Sequence, residues 1–158
     1  MKDYRFIIGI DPDVSKSGIC LIDKQKKTVS AWSATFPEFI NYLNELNKES
    51  MKDDILFVVE AGWLNVISSF HNAYGKCAQR IAKNVGSNHE TGKKIIEMIH
   101  SYEFNYLEQR PLKKIWKKGK ISQEELYLQI KNVDYNYIGN RRMNQDVRDA
   151  CLIALMNV

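Results

Sequence analysis

The chain is sparing with the residues and patterns that would take it out of the ordinary globular class. Cysteine occurs three times (Cys20, Cys77 and Cys151), proline three times and glycine eight times in 158 residues. Three widely spaced cysteines make no disulfide framework and point to a reducing cytoplasm. Long apolar runs are missing too. The longest, residues 6–10, falls far short of the roughly 18 residues a membrane span needs. No positively charged stretch followed by an apolar segment opens the chain, so no secretory signal is expected. No fixed-period repeat or low-complexity tract interrupts it. Neither sign of charge dominates: 23 Lys and Arg stand against 19 Asp and Glu, a net charge of +4. That balance permits nucleic-acid binding without demonstrating it.

Several chemistries lack their parts. No G-x-G-x-x-G and no P-loop is present, so no nucleotide cofactor is expected. No Gly-x-Ser-x-Gly and no Cys/His pair suggests acyl transfer. His71, His89 and His100 have no metal-type spacing, which argues against zinc. What remains is average: 44% hydrophobic and 27% charged residues, unlike a disordered tail, a collagen or a coiled coil. The length suits one domain over residues 1–158.

Residues 6–10 read as a strand buried on both faces, followed by a loop over 12–18. A second strand spans 19–22, a charged turn 23–27 and a third strand 28–36, an antiparallel meander. From Pro37 the period becomes helical, with Phe36, Phe39, Ile40, Leu43 and Leu46 on one face. Residues 55–59 form another apolar strand, ending at Glu60 and parallel to the first by way of the crossover helix. The stretch from about 62 to 88 reads as a loop with a helical piece around 78–82. A helix over 90–102 and a strand over 104–107 follow. Ser122 and Glu125 make a capping box with Ile121 and Leu126 in staple positions. The last helix starts near Asn144 and buries Val147, Ala150, Cys151, Ala154 and Leu155. The order βββαβαβαα predicts an α/β fold with a mixed five-stranded sheet and helices on both faces.

Four acidic residues stand out by position. Asp11 and Glu60 end neighbouring strands, where open α/β sheets bind ligands. Asp146 and Asp149 lie three apart on the last helix, beside its apolar stripe. Plain explanations exist: Asp after a strand forms turns, and Asp in a first helical turn suits the macrodipole. Glu60, at the edge of an otherwise apolar strand, is harder to explain that way. Converging carboxylates need a cation, and oxygen-only ligands suit Mg²⁺ or Mn²⁺.

Ile8-Gly9-Ile10-Asp11-Pro12 with Ser15 and Gly18, then Val59-Glu60, then Asp146-x-x-Asp149-Ala150, resembles the RuvC family of Holliday-junction resolvases within the RNase H-like superfamily. The resemblance covers nearly the whole chain in the correct order. It implies an RNase H-like sheet and two Mg²⁺ (or Mn²⁺) ions held by Asp11, Glu60, Asp146 and Asp149. They would lie about 4 Å apart, one activating water and one stabilising the leaving 3′ oxygen. It also implies junction cleavage to 5′-phosphate and 3′-hydroxyl ends by a two-fold homodimer. Trp63 occupies the position of the aromatic that reaches DNA at the junction centre. Lys114 and Lys120 best match the family's lysines, at a shorter spacing than usual. Asp13 departs from the family, which usually has Gly there.

Residues 110–120 carry Arg110, Lys113, Lys114, Lys117, Lys118 and Lys120 with no acid, and Trp116 among them, which favours phosphate contact over a solvated face. Arg141 and Arg142, with Lys76, Arg80 and Lys83, would extend the footprint, positioning DNA without reading its sequence. The sequence reading is therefore a metal-dependent, structure-selective DNA endonuclease. Three rivals remain: an RNase H-like nuclease acting on RNA or other branched DNA, a non-catalytic junction-binding protein, and an actin-like ATPase. The last needs a second phosphate loop and a much longer chain.

Overall fold

The first strand, β1 (Phe6–Asp11), sits near the middle of the structure and sets its order. In the computed structural model, which describes residues 2–49, 51–65, 75–113, 116 and 119–158, β1 pairs antiparallel with β2 (Ser17–Asp23). β2 pairs antiparallel with β3 (Thr28–Ala34), completing the meander. Helix α1 (Phe36–Lys48) then crosses over to β4 (Ile55–Glu60), which pairs parallel with β1. Helix α2 (Gly75–Ser101) leads to β5 (Asn105–Gln109), parallel to β4. Helix α3 (Gln123–Asn132), the short β6 (Asn136–Tyr137) and helix α4 (Gln145–Leu155) complete the chain. Among the described residues the sheet has six strands, in the order β5-β4-β1-β2-β3-β6.

Two departures from the sequence reading matter. The sheet gains β6, two residues paired parallel with Thr28 and Val29 of β3, too short to leave a periodic signal. The expected loop and two helical pieces between 75 and 102 are one helix of 27 residues. Gly86, Gly92 and a largely exposed first half dilute its apolar period, and isolated glycines weaken a helix reading.

Alternation along the strands divides the core. Ile7, Cys20, Ile22 and Val58 pack against α3 and α4, while Ile8, Ile10, Ile19, Phe57 and Val59 pack against α1 and α2. The helix starts follow local chemistry. Thr35 with Glu38 and Ser122 with Glu125 form capping boxes, and Asn144 caps α4. Ile121 and Leu126 are fully buried at the start of α3. Of the face expected on α1, Phe39 and Leu43 are buried but Phe36 is exposed. All three cysteines are free thiols, with Cys20 and Cys151 facing each other in the core.

Candidate active site

The parallel register sets Ile10 beside Val59, so Asp11 and Glu60 are the next residues of two adjacent strands. Alternation sends both toward the α4 face: Asp11 shares it with Ile7, and Glu60 with Val58. On the other side of β1, Asp11 pairs with Gly18. Helix α4 lies directly over that pair. A Cβ on Gly18 would stand 2.1 Å from the Asp146 carbonyl oxygen, and one on Gly9 2.3 Å from that of Ala150. Two glycines thus let α4 settle onto the sheet with its first turn above the end of β1.

Asp146 stands in that first turn and Asp149 one turn on, buried with 5% exposure. Gln145 Nε2 donates to Asp149 Oδ1 at 2.8 Å, while the Arg148 guanidinium donates to Gln145 Oε1 at 2.9 Å and to the Met143 carbonyl. The Asn144 side chain accepts from the Val147 N–H at 2.9 Å, which fixes where the helix begins. Strand ends, helix face and close packing bring Asp11, Glu60, Asp146 and Asp149 to one end of the sheet. Among the described residues no three His, Cys, Asp or Glu side chains stand in metal-holding geometry. The convergence is therefore one of backbone position and face, not of a closed coordination shell.

A cleft of about 180 Å³ opens at this end, lined by Asp11, Pro12, Glu60, Gly62, Trp63, Val85, Asn88 and His89. Trp63 is half-buried. Its indole Nε1 donates to Glu108 Oε2 at 3.0 Å, and its ring meets His89 edge-on at 6.0 Å. A Cβ on Gly92 would stand 2.5 Å from the Trp63 ring, and one on Gly62 2.7 Å from His89 Nε2. Both glycines make room for an aromatic contact between the residues after β4 and α2. Val85, Asn88 and His89 were missed in the sequence. The signal was the spacing of Ile81, Val85, Asn88 and Gly92, which continues the buried face of Ile95, Ile96 and Ile99.

The basic residues are distributed more widely. Lys113, Lys120, Arg141 and Arg142 are exposed, and none lines the cleft. Lys120 comes just before the buried Ile121. Lys114, Lys117 and Lys118 lie outside the described residues. Trp116 packs, half-buried, against the α3–α4 core and borders an apolar groove with Leu112, Leu152 and Met156. Its presence in the basic run thus has a packing explanation. Lys76, Arg80 and Lys83, expected in a loop, form an exposed stripe on α2 at helical spacing. No described helix is long and apolar enough to cross a membrane.

No family model and no curated protein matches the chain. Among solved structures it is similar to T. thermophilus RuvC in complex with Holliday junction substrate, at 14% identity and a TM-score of 0.53 over 96% of this chain and 92% of that one. It is also similar to the Thermus thermophilus RuvC structure, at 16% identity and a TM-score of 0.49 over 95% and 91%. A third likeness is to the large terminase nuclease from thermophilic phage G20c with bound magnesium, at 12% identity and a TM-score of 0.44 over 98% and 84%. The first of these, together with the strand order, gives this chain a RuvC-like, RNase H-like fold.

Proposed function

We propose that this protein is a metal-dependent, structure-selective DNA endonuclease that resolves four-way junctions by paired symmetric nicks. The observation that carries the reading is the gathering of Asp11, Glu60, Asp146 and Asp149 at one end of a RuvC-like sheet. The solved RuvC of similar fold is in complex with Holliday junction substrate, which supports branched DNA as the partner.

The donor set fits two divalent ions of the Mg²⁺ or Mn²⁺ class, because it offers carboxylate oxygens alone. Bound there, such ions would supply an activated water and stabilise the leaving 3′ oxygen. The chain's own part is to hold its ligands on rigid elements. Asp11 and Glu60 come from hydrogen-bonded strands, and Asp146 and Asp149 from a helix whose backbone rests on Gly9 and Gly18. Lys113, Lys114, Lys117, Lys118, Arg141 and Arg142 would hold phosphates, Lys120 would serve the reacting phosphate, and Trp63 would meet the opened junction centre. Two symmetric nicks require two active sites, so the working unit is a two-fold homodimer of single-domain chains.

Incubation with a synthetic four-way junction, with and without Mg²⁺, tests the reading. Paired nicks with 5′-phosphate and 3′-hydroxyl ends, only with metal, are expected. Preferential cleavage of a matched RNA, or of forks and flaps, would replace it with a different RNase H-like nuclease. Tight junction binding with no cleavage in Mg²⁺ or Mn²⁺ would make the protein a non-catalytic junction binder.

A further inference from the structure

The segment joining Asp11 to β2 is held by side chains at both of its ends. Asp13, where the resembling family usually has glycine, accepts through Oδ1 from the Ser15 N–H at 2.8 Å and the Lys16 N–H at 3.4 Å, an Asx-type turn. Its own N–H donates to Ser17 Oγ at 3.2 Å, and that hydroxyl donates back to the Asp13 carbonyl at 3.3 Å. The other carboxylate oxygen turns outward to α2. Asn88 Nδ2 donates to Asp13 Oδ2 at 3.3 Å, while Asn88 Oδ1 accepts from the Val14 N–H at 3.0 Å. One amide of α2 therefore grips the loop at two points, its donor on a carboxylate and its acceptor on an N–H. Asn88 also lines the cleft with Asp11. The buried residues of α2 run only from Gly92 to Ile99, so its upper half lacks the close backbone packing that seats α4.

We propose that Asn88 is a positioning residue for Asp11: with Asp13 it locks the loop leaving Asp11 onto α2. The strand-end carboxylate and the helix carrying Lys76, Arg80 and Lys83 then move as one body. The catalytic consequence rests on the nuclease reading above; the interlock itself does not. A glycine at position 13 would leave the loop free to sample other conformations, and the Asp13–Asn88 pair removes that freedom.

Three variants test this. Asn88→Ala deletes both contacts. Asn88→Asp keeps an acceptor for Val14 but sets a second carboxylate against Asp13. The double variant Asp13→Asn with Asn88→Asp restores the pair with donor and acceptor exchanged. In the metal-free full chain, amide exchange at Val14 should speed up about tenfold or more in both single variants and return in the exchanged pair. The ¹³C shift of the Asp11 carboxyl should move and return in the same pattern. With junction DNA, kcat should fall about 10- to 100-fold in the single variants, with KM within about twofold, and recover in the pair, because a displacement of about 1 Å near a reacting centre costs that much. Unchanged exchange in the single variants overturns the interlock. Faster exchange with an unmoved Asp11 shift, or a kcat loss that tracks the melting temperature and is not recovered, overturns the positioning role. If the wild type cuts no junction, the nuclease reading fails, while the exchange and the Asp11 shift still decide this proposal.

Discussion

Asp23 and Asp149 are buried to nearly the same degree, 6% and 5% exposed, at opposite ends of one sheet. Asp23 closes β2 beside the start of β1. Its carboxylate takes a two-point contact from the Arg5 guanidinium, at 3.3 and 3.0 Å, and the N–H groups of Gln25 and Lys26 at 3.0 and 3.1 Å. Burial alone would push its pKa up, but Arg5 and the backbone donors outweigh that and hold it below the ordinary carboxylate value. Asp149 accepts from Gln145 Nε2 at 2.8 Å and shares its end of the sheet with Asp11, Glu60 and Asp146. The first arrangement neutralises a buried charge with partners of opposite sign, which serves stability. The second gathers four acidic residues at one end of the sheet, where the proposed nuclease would hold a divalent cation.

The largest expected difference between the two ends is in cleavage. Asp11→Asn, Glu60→Gln, Asp146→Asn and Asp149→Asn should each lower the nicking rate about 100-fold or more, since a metal site is worth several kcal/mol of transition-state stabilisation. Asp23→Asn should leave it unchanged. Rates on a four-way junction in Mg²⁺ check this, and near-wild-type cleavage by any one of the four removes that residue from the site.

Next in size is the seat of α4. Gly18→Ala sets a methyl where only 2.1 Å separates it from the Asp146 carbonyl. Overpacking of this kind costs about 1–3 kcal/mol, or about 3–10 °C in Tm for a chain of this length. A thermal melt without metal measures it, and an unchanged Tm would show that α4 is not held by this contact.

The two ends should also respond with opposite sign when one carboxylate is neutralised. Asp23→Asn should lower Tm at pH 7 by about 3 °C, the equivalent of roughly 1 kcal/mol of charge-assisted hydrogen bonding. Because the folded-state pKa of Asp23 is depressed, this stabilisation is complete above the unfolded value of about 3.9 and is lost as pH falls through the lower folded value. The gap between wild type and Asp23→Asn should therefore close below about pH 4. If the four carboxylates form the proposed metal site, Asp149→Asn in EDTA should raise Tm, and Mg²⁺ should then stabilise wild type more than the variant. A lower Tm for Asp149→Asn with no differential metal response would put both carboxylates in the same structural class.

The smallest effect concerns the surface around the site. Replacing Arg141 and Arg142 by Ala should reduce the slope of log affinity against log salt by about 0.9 for each DNA phosphate that the wild-type arginines neutralise. Fluorescence binding titrations at several salt concentrations read it, and an unchanged slope would leave both arginines as solvated surface.

The regions that were legible in the sequence are those where local chemistry decides. The meander, the capping box of Ser122 and the Asn144 cap each depend on residues within a few positions of one another, whereas the Thr35–Glu38 box at the start of α1 appeared only in the structure. Placing Asp11 and Glu60 at adjacent strand ends needed only two apolar runs and a crossover. Helix α2 was legible only in its second half, the expected 90–102, because its first half is mostly exposed and of mixed polarity. Gly92 is there because the Trp63 ring lies on it, a contact between residues 29 positions apart in a different element. Trp116 in the basic run was opaque for the same reason: its partners belong to α3 and α4.

By itself the sequence determined which residues carry acid and base, where α1, α3 and α4 begin and which strands are apolar on both faces, since these follow from side-chain type and short-range period. Only the tertiary structure decided that Gly9 and Gly18 admit α4 to the sheet, that Trp63 lies against His89, and that Asp13 is answered by Asn88. Each of these is a contact between segments far apart in the chain. Spacing along the chain cannot register such contacts, because packing distance is set by how the layers close and not by sequence separation.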